Sequence, residues 1–337
     1  MFEKKIITIT NAFSKQGLGV VYALLSSGKF KVRALTRRNG TVEGEALIKK
    51  YGRENVEICI ISDQSLDSLT KALNGAHGVF VITTVSHQDP KCLEIELNSV
   101  KRIADIAVQS KVKHIIFSSL DKPSDQAIKE FKEYLIWTPR TLAEEYIKTL
   151  PIHSSFISIA FFFSNFLESF PPTVNESGVT VFSLPDTPGD QLLPYADSLV
   201  TPGLAVRDLF VQFIESPETF ENGQHLQIVS EYLSGNQMAE IFQRVTGKKA
   251  IYKRAEAKEY IEKMKKSGFE RKARYNLAVY QYPAKYNYFD TNNPIYQPSS
   301  SSANTIETYE HFLRHCGWKG ESSNDFKSKL LSSYGYL

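Results

Sequence analysis

Two hydrophobic rhythms alternate along the first 160 residues. Short Val/Ile-rich runs predict strands at Ile6–Ile9, Phe30–Leu35, Val56–Ile61, Gly78–Thr84, Val112–Ser118 and Pro151–Ala160. Between them, apolar positions recurring every three or four residues predict helices. In the first of these Leu18, Val20, Val21, Leu24 and Leu25 face inward; others cover Glu43–Tyr51, end at the cap-like Asn74-Gly75, and run from about Lys91 to Ser110. The strands are too uniformly apolar for one-sided burial, so they predict a parallel sheet covered on both faces. Right-handed crossovers make this an α/β, doubly wound, Rossmann-like sheet whose strand C-termini line a ligand crevice.

Beyond Leu150 the rhythm breaks. Phe161–Pro172 is aromatic and ends in Pro-Pro, Asn175–Gly178 and Leu184–Pro194 carry turn and hairpin signals, Val206–Glu215 reads as a helix returning to the sheet, and His225–Val229 as a strand beside it. The expected organisation is a dinucleotide-binding domain over residues 1–160, completed by about 201–230, with a smaller α+β lobe from 161–200 and 231–337.

Composition narrows the class. At 337 residues and 42% hydrophobic, the chain can bury a full core. No apolar run reaches membrane-span length, and Met1–Lys5 leads straight into a strand, so neither a membrane span nor a secretory signal is expected. The three cysteines, Cys59, Cys92 and Cys316, are far apart and in no metal spacing, which suits a reducing cytoplasm or nucleus. Cys59 falls within an apolar strand and is expected in the core. Charge is uninformative overall but concentrated locally: Lys248–Arg274 holds eleven Lys/Arg against four Glu. Such a run is a solvated face or a footprint for an acidic partner; no helix-turn-helix or zinc spacing accompanies it, so direct sequence-specific DNA reading is not expected.

Candidate chemistry gathers after the first strand. A tight turn opening a helix there aims unpaired backbone N–H groups and the positive end of the helix dipole at one point, where a pyrophosphate can sit. A dinucleotide turn carries glycines three apart; this one has Asn11, Ser14 and Gly17, with Phe13, Lys15 and Gln16 between and beside them. Asn11 replaces glycine at least cost because Asn visits left-handed φ readily, and Gly17 lets helix and strand pack closely. Ser14 adds a side chain near the phosphates, but also a hydroxyl. The second strand ends in Thr36, Arg37 and Arg38, with no acid until Glu43. A ribose hydroxyl calls for an acid at this place and a 2′-phosphate for arginine, so the pattern favours NADP(H). The other strand ends, Thr10-Asn11, Ser62-Asp63, Thr83-Thr84 and Ser118-Ser119, are polar as a dinucleotide crevice requires, although such residues also cap helices.

The chain resembles the NmrA-like family, atypical relatives of the short-chain dehydrogenases. The resemblance rests on KQG at Lys15–Gly17, FKVRALTR at Phe30–Arg37, KVKHIIFSSL at Lys111–Leu120, AEEYI at Ala143–Ile147, FFFSNF at Phe161–Phe166, MAEIFQRVTGKK at Met238–Lys249 and YEHFLRHCGWK at Tyr309–Lys319. It implies NADP(H) as cofactor, held by Asn11, Phe13, Ser14, Lys15, Gln16, Gly17, Arg37, Arg38, Asp63, Thr83, Ser118, Arg140 and Phe162. Asp63 follows Ser62, where the family's third strand ends in an acid near the adenine. Phe161, Phe162 and Phe163 either wall the crevice or belong to the core.

Short-chain reductases use a Tyr to move a proton and a Lys one helical turn later to lower its pKa. None of the 17 tyrosines has Lys four residues on. Aligning AEEYI puts Ile136 at the Tyr position and Arg140 at the Lys position; Ile136 can relay nothing, and a guanidinium is a poor relay at neutral pH. Three readings follow: a non-catalytic NADP(H)-binding redox sensor or regulator acting on a protein partner such as a transcription factor, an NADPH-dependent reductase of a small carbonyl or quinone, and a scaffold that has lost dinucleotide binding.

Overall fold

The computed structural model describes residues 3–38, 41–61, 65–83, 89–131, 136–298, 306–321 and 329–335. Its first half alternates strand and helix, with two helices before the sixth strand: β1 (Lys5–Ile9), α1 (Lys15–Ser26), β2 (Phe30–Thr36), α2 (Val42–Tyr51), β3 (Val56–Ile60), α3 (Leu66–Leu73), β4 (Gly78–Val81), α4 (Cys92–Gln109), β5 (His114–Ser119), α5 (Asp125–Phe131), α6 (Trp137–Lys148) and β6 (His153–Ile159). The second half is more broken: β7 (Phe161–Phe162), α7 (Asn165–Glu168), β8 (Thr173–Val174), β9 (Thr180–Phe182), β10 (Leu193–Ala196), α8 (Val200–Glu215), β11 (Gln224–Ile228), β12 (Glu231–Leu233), α9 (Gly235–Thr246), β13 (Ala250–Tyr252), α10 (Ala257–Lys266), α11 (Glu270–Lys285) and α12 (Tyr309–Cys316).

Seven strands form one parallel sheet in the order β11-β6-β5-β4-β1-β2-β3. Every residue of β4 and β5 is buried, as two-sided packing demands. One core lies against α1 and α8 and continues into the smaller lobe; a second lies on the opposite face under α3, α4 and α6. Helix starts follow local chemistry: Ser14, Thr41, Ser65, Ser234 and Thr308 each accept from a backbone N–H three residues on. The smaller lobe carries two three-stranded sheets, β12-β10-β7 and β13-β9-β8. Among the described residues no helix is long and apolar enough to cross a membrane.

Two expectations are corrected. Cys59 is not core: β3 is the edge strand, Cys59 is only half-buried, and its Sγ lies 3.4 Å from Glu57 Oε1. Helix α1 is buried nearly all round rather than on one face, because α8 begins at Val200, earlier than the Val206 start expected, and crosses it closely. A Cβ on Gly19 would sit 1.8 Å from Leu199 O, and one on Gly203 2.4 Å from Gly19 O, so the crossing exists only because both positions lack one.

A buried polar cluster ties β5, β6, β11 and α6 together. His225 Nδ1 lies 3.1 Å from Glu144 Oε1, and its Nε2 lies 3.1 Å from Asp121 Oδ1 and 2.6 Å from Ser158 Oγ. Ser119 and Lys148 donate to Glu144, and Gln227 donates to Asp121. Burial opposes the imidazolium, but the two carboxylates outweigh it and push the His225 pKa up to about 9. Burial likewise raises the carboxyls, and His225 more than reverses this, leaving Asp121 and Glu144 below the usual range.

A raised folded-state histidine pKa gives stability that is complete below the unfolded value of about 6.5 and is lost as pH rises through about 9. Urea melts of wild type and His225→Gln are expected to differ most near pH 6 and to converge by roughly 2–3 kcal/mol by pH 9.5. A difference that stays constant across this window would show that His225 is not charged in the fold.

Candidate functional site

Strand order reverses between β1 and β4, which opens a crevice at their C-terminal ends. Thr10 Oγ1 donates to Ile82 O (2.9 Å) and accepts from Ile82 N (2.7 Å), pinning the two strand ends together. Asn11 then takes φ 46°, the left-handed conformation anticipated for it, and its Nδ2 donates to Ile82 O at 2.7 Å. Ser14 N donates to Asn11 O, and Ser14 Oγ caps α1 by accepting from Gly17 N at 3.1 Å. The first turn of α1, from Lys15 to Gly17, thus lies at the strand ends with the positive end of the helix dipole facing the crevice. A Cβ on Gly17 would lie 2.4 Å from Asn11 O, so helix and turn can meet this closely only with glycine there.

Three cavities line the strand ends. A narrow one of 70 Å³ has apolar walls from Leu35, Ile61, Leu69 and Ile82, with Thr83 and Arg37 at its edge. Beside it, 250 Å³ are lined by Asn11, Phe13, Ser14, Thr36, Arg37 and Arg38. Both arginines are exposed, and among the described residues the Arg37 guanidinium has no partner. The third, 440 Å³, lies between Gln16, Ser118 and Arg140 on one side and Phe162, Tyr275 and Tyr280 on the other.

Gln16 Nε2 donates to Ser118 Oγ at 3.0 Å, holding both at the cavity wall. The phenylalanine run divides: Phe161 and Phe163 are buried in the core, while half-buried Phe162 faces the third cavity. Lys15 is placed differently from the rest of its turn. Its ammonium is bonded to Ser164 Oγ and Glu168 Oε2, each at 2.8 Å, and so joins the turn to α7 of the smaller lobe. Asp63 lies outside the described residues.

Arg140 is not a solvated helix-start residue. Its Nε donates to Glu96 Oε1 at 3.0 Å, the same oxygen that accepts from Thr83 Oγ1 at 2.5 Å. Burial works against the guanidinium's charge, and Glu96 more than restores it. Ile136, at the head of α6, lines the third cavity with Arg140 and brings no titratable group. Burial pushes the Tyr275 and Tyr280 phenols well above their ordinary pKa, and Arg140 only partly offsets this at Tyr275. Among the described residues the cavity therefore offers hydrogen bonds and aromatic faces, with both phenols held in the protonated form near neutral pH.

Glu96 escaped the sequence reading. A signal was present: Glu96 falls on the stripe Val100, Ile103, Ala104 and Ala107 that α4 buries, where a lone acid needs a buried cation. Tyr275, Tyr280 and Tyr288 are both buried packing residues and part of the crevice wall.

A parallel seven-stranded sheet with its crevice at the switch point defines a protein of the Rossmann type. The NmrA-like family model matches residues 3–313, and the chain belongs to that family. An NmrA-like family domain-containing protein of Dictyostelium discoideum is 27% identical over 94% of this chain and 99% of its own. An NmrA-like family domain-containing oxidoreductase of Aspergillus flavus is 28% identical over 74% of this chain and 75% of its own. Among solved structures, NmrA, a negative transcriptional regulator, superposes with TM-score 0.71 in complex with NAD and 0.69 in complex with NADP, at 19% identity over 93% of this chain and 95% of that one.

If Arg37 meets a 2′-phosphate, as its place at the end of β2 predicts, replacing it with Ala removes a charge-assisted contact. Affinity for NADPH is expected to fall roughly ten- to hundredfold while that for NADH stays unchanged. Thermal-shift titration with the two nucleotides checks this, and equal weakening of both would refute the assignment of Arg37.

Proposed function

We propose that the protein binds NADP(H) along the strand edge and acts as a non-catalytic redox sensor or regulator through a protein partner. The residues present fit such a nucleotide. An apolar slot beside Leu35, Ile61 and Ile82 suits an adenine, Arg37 and Arg38 suit a 2′-phosphate, and the positive N-terminal end of α1 suits a diphosphate. The third cavity would take the nicotinamide end, beside Ser118, Arg140 and Phe162. When bound, the cofactor supplies a hydride donor or acceptor; the chain supplies binding and orientation.

The observation that carries the regulatory reading is the ion pair between Arg140 and Glu96 with Ile136 beside it. A guanidinium held charged by a buried carboxylate cannot serve as an acid or base at neutral pH, and Ile136 offers no substitute. Lys15 supplies a route by which occupancy reaches the surface. Its ammonium bridges α1 to Ser164 and Glu168, so a diphosphate at the turn and Glu168 on α7 are alternative partners for one charge. Binding would then favour one arrangement of α7, and a partner such as a transcription factor would read it. The basic run from Lys248 to Arg274 is solvated, with no buried residue in α10, and an acidic partner surface would meet it without rearranging the core.

A second reading, an NADPH-dependent reductase of a small quinone or carbonyl, is favoured by the 440 Å³ cavity and its aromatic walls. Hydride transfer to a quinone can draw its proton from solvent, so an absent Tyr/Lys pair does not forbid it. The two readings separate in one assay. Under the regulatory reading NADPH raises the melting temperature, yet a panel of quinones and small aldehydes gives no enzyme-dependent NADPH oxidation. Sustained turnover with any of them would overturn it in favour of the reductase.

A further inference from the structure

On the far side of the smaller lobe, α12 carries His311 and His315 one turn apart, and Glu307 precedes them by one more turn, just before the Thr308 cap. The three therefore share one face. Glu307 Oε1 lies 3.2 Å from His311 Nδ1 and 3.4 Å from His315 Nδ1, and the three atoms fall within 4.8 Å of one another. Donor atoms held at 2.0–2.2 Å around a tetrahedral ion stand about 3.3 Å apart, so these side chains already have the spacing of a filled site.

Two further features point to a cation. Glu307 is 3% exposed, and its Oε1 has no donor in hydrogen-bonding geometry among the described residues, a costly state for a buried oxygen. The outer nitrogen of His315, Nε2, lies 2.8 Å from Ser333 O. A carbonyl only accepts, so the proton sits on Nε2 and the Nδ1 lone pair is turned toward Glu307, the arrangement by which a backbone carbonyl orients a metal-bound imidazole. Tyr334 completes the surround: its ring stacks on His315 with centroids 4.2 Å apart, and its hydroxyl donates to Glu307 Oε2. The Nδ1 of His315 and Oε1 of Glu307 thus face each other across 3.4 Å.

We propose that Glu307, His311 and His315 form a binding site for a divalent transition-metal ion of the zinc type, with solvent as the fourth ligand on the side of His311, which is 62% exposed. Two imidazoles and one carboxylate suit zinc and its neighbours rather than magnesium or calcium, which prefer all-oxygen shells. Its effect would be to fasten the segment around Ser333 and Tyr334 to α12, because those residues orient the ligands. The site is independent of the nucleotide crevice.

The test uses the tag-free full-length protein, stripped by dialysis against a chelator and titrated with zinc by calorimetry and with cobalt as a visible probe. One ion per chain is expected, with the d–d bands of tetrahedral cobalt and a zinc-dependent rise in melting temperature. His311→Ala and His315→Ala should each weaken binding more than about tenfold, and together should abolish the bands, while metal-free melting stays near wild type. Glu307→Gln preserves the side-chain shape and should weaken zinc without unfolding. The proposal fails if wild type takes up no metal, or if the double histidine variant binds zinc as wild type does. A sulfur-to-cobalt charge-transfer band lost in Cys316→Ser would overturn the ligand set.

Discussion

Everything at the strand edge depends on how closely α1 can approach the turn that precedes it. Asn11 at φ 46° reverses the chain in the space of one residue, and the absence of a Cβ at Gly17 lets the first turn of α1 come to rest on the Asn11 and Ala12 carbonyls. With that contact go the placement of the positive end of α1 at the strand edge, the apolar slot between Leu35 and Ile82, and the meeting of α1 with α8 through Gly19 and Gly203. One close approach thus sets both the anion-facing geometry and the packing behind it. It is also why a turn with a single glycine out of three keeps the shape: Asn11 supplies the left-handed residue, and Ser14 turns its side chain into the helix cap.

The chemistry at the far end of the crevice is governed by a different pair. Glu96 is buried, and a buried carboxylate requires a cation, which Arg140 provides while Thr83 donates to the same oxygen. Reductases of this architecture use the corresponding lysine as part of a proton path. Here the Arg140 guanidinium at that position is occupied in neutralising a neighbour. The aromatic walls from Phe162 and α11 then read as shape and contact surface rather than as reactive groups.

The parallel sheet and its order of elements were legible because hydrophobic runs buried on both faces leave a plain mark, and the turn residues could be assigned because left-handed φ and close packing restrict residue choice. What stayed hidden is tertiary. Cys59 looks like core in the sequence, since an edge strand and a central one carry the same apolar run until their neighbours are known. The full burial of α1 depends on α8, some 180 residues later, and could not be inferred from periodicity. Lys15 belongs by sequence to the phosphate turn, yet it reaches Glu168, because a long flexible side chain finds whichever acid the fold brings near. The Glu307, His311 and His315 cluster is at helical spacing, but only the fold shows Ser333 and Tyr334 closing around it.

The proposed function requires that the crevice hold a nucleotide carrying an extra phosphate. Calorimetric titration of the wild-type protein with NADP(H) and NAD(H) tests this most directly. One-site binding of NADP(H), at least tenfold tighter than NAD(H), is expected. Absence of heat with any of the four nucleotides, or equal affinity for the phosphorylated and unphosphorylated forms, would contradict it.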